Sequence, residues 1–139
     1  MTGYSGTPLT KKLGIKPAMT FYVMGAPQEY EQWLGSLPDG ALLVYKFPKS
    51  QIEAAHFFLY ERYKLHRELE ILRDQLTQNG FVWISWPKKA SKVPTDITED
   101  VIREVALPMG FVDIKVCAVS EIWSGLKLVI RKSERLSTK

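Results

Sequence analysis

Cysteine is almost absent from this sequence, since Cys117 is the only one among 139 residues. A single cysteine cannot form a disulfide within the chain, and it excludes a zinc site built from several cysteines. No apolar run approaches the roughly 20 residues of a membrane-spanning helix, and the first residues contain no apolar secretory segment. We therefore expect a cytoplasmic protein with no membrane span.

An excess of charge of one sign is also lacking. The chain has 19 Lys and Arg against 15 Asp and Glu, a formal net charge of +4, and the two signs are interleaved. This pattern disfavours nucleic-acid binding, which usually needs a basic stripe. The length fits one domain. We predict an irregular N-terminal arm (1–18), a single α/β domain (19–132) and a flexible tail (133–139).

Sequence motifs for common enzyme sites are missing as well. The segment "MGAPQEY" after the first predicted strand contains only Gly25 and then Pro27, whereas a dinucleotide or methyl-donor loop needs several glycines. His56 and His66 lie on one predicted helix without metal-ligand spacing, and Cys117 is placed mid-strand as a small core residue. The sequence therefore predicts no catalytic residue, no metal site and no standard nucleotide cofactor.

Apolar periodicity predicts the element order β-α-β-α-β-α-β-β. Three strands separated by helices favour right-handed crossovers and a parallel core, whereas the last two are close enough in sequence for an antiparallel hairpin. A parallel run that ends in such a hairpin is the closing pattern of class I methyltransferases. We therefore expect a three-layer α/β fold with about five strands, a reduced class I methyltransferase-like Rossmann fold. The predicted strands are 20–25, 41–47, 81–86, 111–119 and 126–132.

The longest predicted helix covers residues 50–79, because no glycine or proline occurs from Ser50 to Asn79. Ser50 and Glu53 have the spacing of a capping box. Such a helix would be roughly 40 Å long, about twice a six-residue strand, so it must overhang the sheet or break. Either the extra aromatic residues fold back onto the N-terminal arm, or they form a homodimer surface. The residues predicted for that surface are Phe57, Tyr60 and Tyr63.

Lysines follow two predicted strands of the parallel core. Each of these strands stops at a proline, and proline ends strand pairing because it has no N–H to donate. Ligands of open α/β sheets bind at the carboxyl ends of the strands, so these lysines would attract a small anion there. The alternative is that they are merely solvated loop residues. The ligand-binding candidates are Lys46, Lys49, Lys88, Lys89, Ser91, Trp123 and Ser124, with Gly25 as the loop candidate.

Trp123 has two interpretations. It could cover the ligand crevice, or "WSG" could be a hairpin turn in which Trp123 is an aromatic anchor and Gly125 supplies a positive φ. For the third predicted strand, we expect Trp83 to be more buried than Trp33. Val82 and Ile84 should be buried too, since a central parallel strand is covered on both faces.

Nearly the whole chain resembles a bacterial family of small stand-alone proteins catalogued as domain of unknown function 3052. The segments that carry the resemblance are "SGTPLTKKLGIKP", "APQEY", "SWPKK", "GFVDIKVCAV" and "WSGLKL". The resemblance implies no established activity. We therefore expect a non-catalytic ligand-binding or regulatory module with an anion-attracting crevice. The alternative is a degenerate methyltransferase-like enzyme that binds a methyl donor through an unusual loop near Gly25.

Overall fold

The computed structural model describes residues 8–135, which form four α-helices and six strands. The helices are α1 (Leu9–Leu13), α2 (Tyr30–Leu34), α3 (Arg62–Gln75) and α4 (Glu99–Ala106). The strands are β1 (Thr20–Met24), β2 (Leu42–Val44), β3 (Ile52–Phe58), β4 (Leu76–Pro87), β5 (Phe111–Ala118) and β6 (Trp123–Ile130).

All six strands belong to one sheet, in the order β2-β1-β3-β4-β6-β5. The first four strands in that order are parallel, whereas β6 is antiparallel to both of its neighbours, β4 and β5. The predicted α/β class, the mostly parallel sheet and the closing antiparallel hairpin are therefore confirmed. The sheet has one strand more than the five expected, and the extra strand is β3.

Helices cover both faces of the sheet. Leucines of α3 and apolar residues of α4 pack on one face, and α1 and α2 pack on the other. Trp83 of β4 is fully buried on the α1 side and Trp33 only partly, as predicted, and Val82 and Ile84 are buried on the opposite face. None of the four described helices is long and apolar enough to cross a bilayer.

Residues 52–58 form a strand, and the prediction of one helix over 50–79 was wrong. β3 lies between β1 and β4, so both of its faces are covered and five consecutive residues, 54–58, are buried. Such a strand has a continuous apolar run, which periodicity cannot distinguish from a buried helix. The expected capping box is not formed, because Glu53 instead accepts a hydrogen bond from the Thr20 amide at 3.2 Å.

The predicted dimer surface changes with this correction. Phe57 is only 1% exposed and belongs to the core, whereas Tyr60 and Tyr63 are 46% and 61% exposed. Tyr60 follows β3 and Tyr63 lies on α3, so the three aromatic rings do not form one exposed patch. The oligomeric state stays a prediction, and Phe57 offers no surface for it.

Two predicted strands also differ from the structure. The second is shorter than 41–47, since only Leu42–Val44 pair with β1. The fourth was expected to bury alternate residues, but Ile114 and Val116 are more than half exposed. β5 is an edge strand, and an irregularity between Asp113 and Lys115 shifts its register against β6. A shift of one residue moves the later side chains to the other face.

The segment expected to be an irregular arm contains α1. Leu13 is fully buried, and its carbonyl accepts a hydrogen bond from Trp83 Nε1 at 2.9 Å. This helix is therefore part of the core. Residues 1–7 of the predicted arm and 136–139 of the predicted tail lie outside the described residues.

Candidate functional site

The strand order reverses between β1 and β3. After β1 the chain continues into α2 on one face of the sheet, and after β3 it continues into α3 on the other face. The two connections diverge at the carboxyl ends of these strands. In open α/β sheets this point is where ligands bind.

A cleft of about 630 Å³ opens to solvent beside this point. Its volume lies within the roughly 300–1,000 Å³ of small-molecule sites. The end of β1, the first residues of α2 and the residue after β2 form its walls. The lining residues are Val23, Met24, Gly25, Ala26, Pro27, Gln28, Tyr30, Glu31, Gln32 and Tyr45.

Glu31 and Tyr45 join two walls of the cleft. The Tyr45 hydroxyl donates a hydrogen bond to Oε2 of Glu31. Partial burial of the hydroxyl, followed by the hydrogen bond and negative charge of Glu31, raises the pKa of Tyr45 to about 12. The phenol therefore stays protonated at neutral pH. One carboxylate thus faces the cleft, and its second oxygen can accept hydrogen bonds from a ligand.

Gly25 closes the gap between β1 and β3. Its φ is 74°, and a Cβ atom there would lie 2.7 Å from the carbonyl oxygen of Phe58. The two strand ends are therefore in backbone contact, which leaves space for a ligand only toward β2. Pro27 supplies no N–H, so the loop lacks the row of backbone donors found in glycine-rich loops.

We expect Gly25→Ala to cost about 1–3 kcal/mol more stability than Gly35→Ala. Both glycines have a positive φ, 74° and 73°, so alanine meets similar backbone strain at either position. Only Gly25 adds the contact with Phe58, because nothing lies within 4 Å of a Cβ at Gly35. Urea denaturation of the two variants measures the difference. Equal losses would show that the strand ends separate easily.

A chain of hydrogen bonds runs beneath the cleft. The Tyr30 hydroxyl lies 2.8 Å from His56 Nδ1, and His56 Nε2 lies 2.8 Å from Ser85 Oγ. All three side chains are buried, and burial lowers the pKa of His56 to about 3 and raises that of Tyr30. His56 is therefore neutral and holds Tyr30 from below. Sequence reasoning missed this chain because it placed His56 on a helix.

The predicted lysines do not converge. Lys46 follows β2 and Lys88 follows β4, and these strands are three positions apart, roughly 14 Å. Lys49 lies toward the amino ends of the strands, since Gln75, just before β4, donates to the carbonyls of its neighbours Pro48 and Ser50. None of the four lysines lines the cleft.

Lys88 and Lys89 lie at the carboxyl edge of the sheet with at least partly exposed side chains, as predicted. The Lys88 amide donates to Ile122 at 2.8 Å, and Ser91 Oγ donates to the Lys88 carbonyl at 2.7 Å. Thr95 Oγ1 then donates to the Tyr60 carbonyl at 2.6 Å. The segment after β4 is thereby held over the end of β3.

Trp123 anchors the start of β6. Its side chain is 5% exposed and makes edge contacts with the rings of Phe58 and Tyr60, so it is buried and does not cover a crevice. Ser124 and Gly125 are paired strand residues, and the predicted "WSG" turn was wrong. A Cβ atom at Gly125 would lie 3.2 Å from the Trp83 ring, so close packing explains this glycine.

The fold is similar to those of several methyltransferases of known structure. A SAM-dependent methyltransferase from Aquifex aeolicus has a TM-score of 0.56 and 15% identity, over 88% of this chain and 87% of that chain. An rRNA methylase from Streptococcus thermophilus has a TM-score of 0.57 and 11% identity, over 94% and 100%. The ribosomal protein L11 methylase of Lactobacillus delbrueckii subsp. bulgaricus has a TM-score of 0.54 and 13% identity, over 87% and 74%.

The chain has a class I methyltransferase-like Rossmann fold. No protein-family model and no curated protein sequence matches it. At these identities the similarity concerns the fold alone, and the chemistry must come from the site. Sequence reasoning identified Gly25 and the carboxyl edge, but it missed Glu31 and Tyr45. Their pairing depends on α2 and β2 meeting in space, which no spacing in the sequence shows.

Proposed function

We propose that this chain is a methyltransferase-like protein that binds the nucleoside part of an S-adenosyl compound in the cleft. The observation that carries the proposal is the Glu31 carboxylate, held by Tyr45 in a cleft beside the strand-order reversal. Acidic side chains in this part of Rossmann folds bind ribose hydroxyls. Among proteins with a similar fold, one structure is described as a complex of DhpI with SAH.

The lining of the cleft fits an adenine nucleoside. The free acceptor of Glu31 suits the hydroxyl pair of a ribose. Val23, Met24 and Ala26 offer apolar surface for a base, and the amides of Gln28 and Gln32 can donate to and accept from its edge. Bound S-adenosylmethionine would supply an electrophilic methyl group.

The fit is poorer for the amino-acid end of such a ligand. A charged amino acid is usually held by backbone N–H groups of a glycine-rich loop, and here Gly25 is followed shortly by Pro27. The titratable side chains in the lining are Tyr30, Glu31 and Tyr45. Tyr30 is bonded to His56 and Tyr45 keeps its proton, so Glu31 is the proton acceptor that a methyl-accepting substrate would meet.

A non-catalytic binding module is the second candidate. The same loop favours it, because a nucleoside can be held by Glu31 without a cradle for the reactive end. Such a protein would bind adenosine and S-adenosylhomocysteine with similar affinity and would transfer no methyl group. Membership of the family of unknown function 3052 stays a prediction and is compatible with either candidate.

Isothermal titration calorimetry with S-adenosylhomocysteine, S-adenosylmethionine and adenosine tests the proposal. We expect all three to bind, and Glu31→Gln to weaken each by about 10- to 100-fold, since a hydrogen bond to a charged group contributes roughly 1.5–3 kcal/mol. Glu121→Gln is the matched control, because Glu121 is exposed in the turn before β6. Tyr45→Phe should weaken binding less, since it frees Glu31 to move without removing its charge.

Two outcomes would overturn the proposal. One is the absence of binding by any of the three compounds at millimolar concentration. The other is binding that Glu31→Gln and Glu121→Gln leave equally unchanged. A clear preference for S-adenosylmethionine over adenosine would favour the enzyme over the binding module.

A further inference from the structure

Four lysines lie close together far from the cleft, on the face of the sheet that α1 covers. They come from α1, from the segment after it and from the paired strands β5 and β6. These residues, Lys12, Lys16, Lys115 and Lys127, are called the lysine cluster below. The charges of Lys115 and Lys16 act on Lys127, and those of Lys12 and Lys115 act on Cys117, which places all four around one region.

The two strand residues of the lysine cluster face each other directly. Lys115 and Lys127 are register partners on β5 and β6. Like charges in this position are destabilising unless something neutralises them. Among residues 8–135, the ion pairs include neither of these lysines nor Lys16. The nearest acidic strand residue, Asp113, pairs with Arg103 instead.

Lys127 is held in place and does not extend freely into solvent. Its Nζ atom lies 4.2 Å from the centre of the Phe81 ring, and a Cβ at Gly14 would be only 3.5 Å from it. Burial, followed by the charges of Lys115 and Lys16, lowers its pKa. A solvated surface lysine would show neither the fixed position nor the partial burial.

We propose that the lysine cluster binds a compact polyphosphate group, meaning two or more directly linked phosphates. Such a group carries several negative charges in the space that amines from adjacent strands, about 4.8 Å apart, can surround. The observations favour it over single-stranded nucleic acid, which needs exposed aromatic rings for base stacking. The exposed aromatic residues of the described chain lie elsewhere: Tyr45, Phe47, Tyr60 and Tyr63.

The direct test is calorimetry with inorganic triphosphate at low ionic strength. We expect binding that weakens steeply as salt is added, because the contacts are between charges. Lys115→Gln and Lys127→Gln should each weaken it by about tenfold. Lys64→Gln is the control, since Lys64 lies on α3 at the opposite face and pairs with Glu61. Lys115 is exposed, so its variant tests the charge even if Lys127→Gln disturbs packing.

Cys117 reports whether the ligand is bound at the lysine cluster. It is the only cysteine of the chain, is partly exposed, and pairs with Gly125 on the same two strands. Burial raises the pKa of its thiol, and the charges of Lys12 and Lys115 lower it. Triphosphate should therefore slow alkylation by iodoacetamide severalfold in the parent and in Glu31→Gln, but not in Lys115→Gln.

Three results would overturn the inference. Triphosphate could fail to bind at low salt, it could bind without slowing the alkylation of Cys117, or its affinity could be unchanged in Lys115→Gln. A short single-stranded RNA that binds tenfold more tightly than triphosphate at the same salt would replace the compact ligand with a nucleic-acid partner. Because the cleft is separate, loss of nucleoside binding in Glu31→Gln leaves this test unaffected.

Discussion

Replacing His56 with leucine is expected to lower the free energy of unfolding by about 2–6 kcal/mol. The imidazole bridges Tyr30 and Ser85, and both partners are buried. Leucine would leave two hydroxyl groups without a partner in the core, and each such group costs roughly 1–3 kcal/mol. Urea denaturation monitored by tryptophan fluorescence measures the loss. His66→Leu is the matched control, because His66 is exposed on α3 and should change stability by less than about 0.5 kcal/mol.

The same histidine gives stability a defined pH dependence. Its pKa is about 6.5 in the unfolded chain and is lowered to about 3 in the folded state. Between these values the unfolded state binds the extra proton, so the contribution of His56 is complete above pH 6.5. It is lost as pH falls toward 3, by up to about 1.4 kcal/mol per pH unit. His56→Leu should flatten this decline, and a decline as steep as the parent's would show that other groups cause it.

Truncating Trp83 to alanine is expected to cost about 3–5 kcal/mol. The indole is fully buried against α1, contacts the strand beside it at Gly125, and donates a hydrogen bond to the Leu13 carbonyl. Alanine would leave a large cavity and also release the end of α1. Thermal or urea unfolding measures the first effect. Amide hydrogen exchange within Leu9–Leu13 measures the second, and it should accelerate more than exchange in α3.

Trp33→Ala is the control for this experiment. Trp33 belongs to the same apolar cluster but is only partly buried, so its loss should cost clearly less than that of Trp83. Equal costs for the two tryptophans would show that β4 does not have the central position described above.

The fold class was predictable because it depends on features that the sequence states locally. β1 and β4 are apolar runs that end at Gly25 and Pro87, and Thr98 begins α4 as expected, since its hydroxyl accepts from the Val101 amide at 3.1 Å. Turn residues, helix caps and the short spacing of the final hairpin each have a local cause. Together they suffice for an α/β sheet with an antiparallel end.

β3 was not predictable in the same way. Its residues Ala54, Ala55 and Phe57 suit a helix as well as a strand, and no glycine or proline separates the strand from α3. Only the neighbours β1 and β4, which cover both faces, decide between the two. The site failed for a related reason, because Glu31 meets Tyr45 only after β2 has paired beside β1.

The shortness of β2 has a consequence for how the cleft behaves. β2 pairs with β1 over three residues, has no further neighbour, and returns to β3 through a connection without a helix. This corner therefore has few cooperative contacts and should unfold locally at a lower free energy than the centre of the sheet. Tyr45 lies in this corner. A nucleoside bound there would contact a wall that it must itself keep folded, so its measured affinity would include the free energy of ordering that wall.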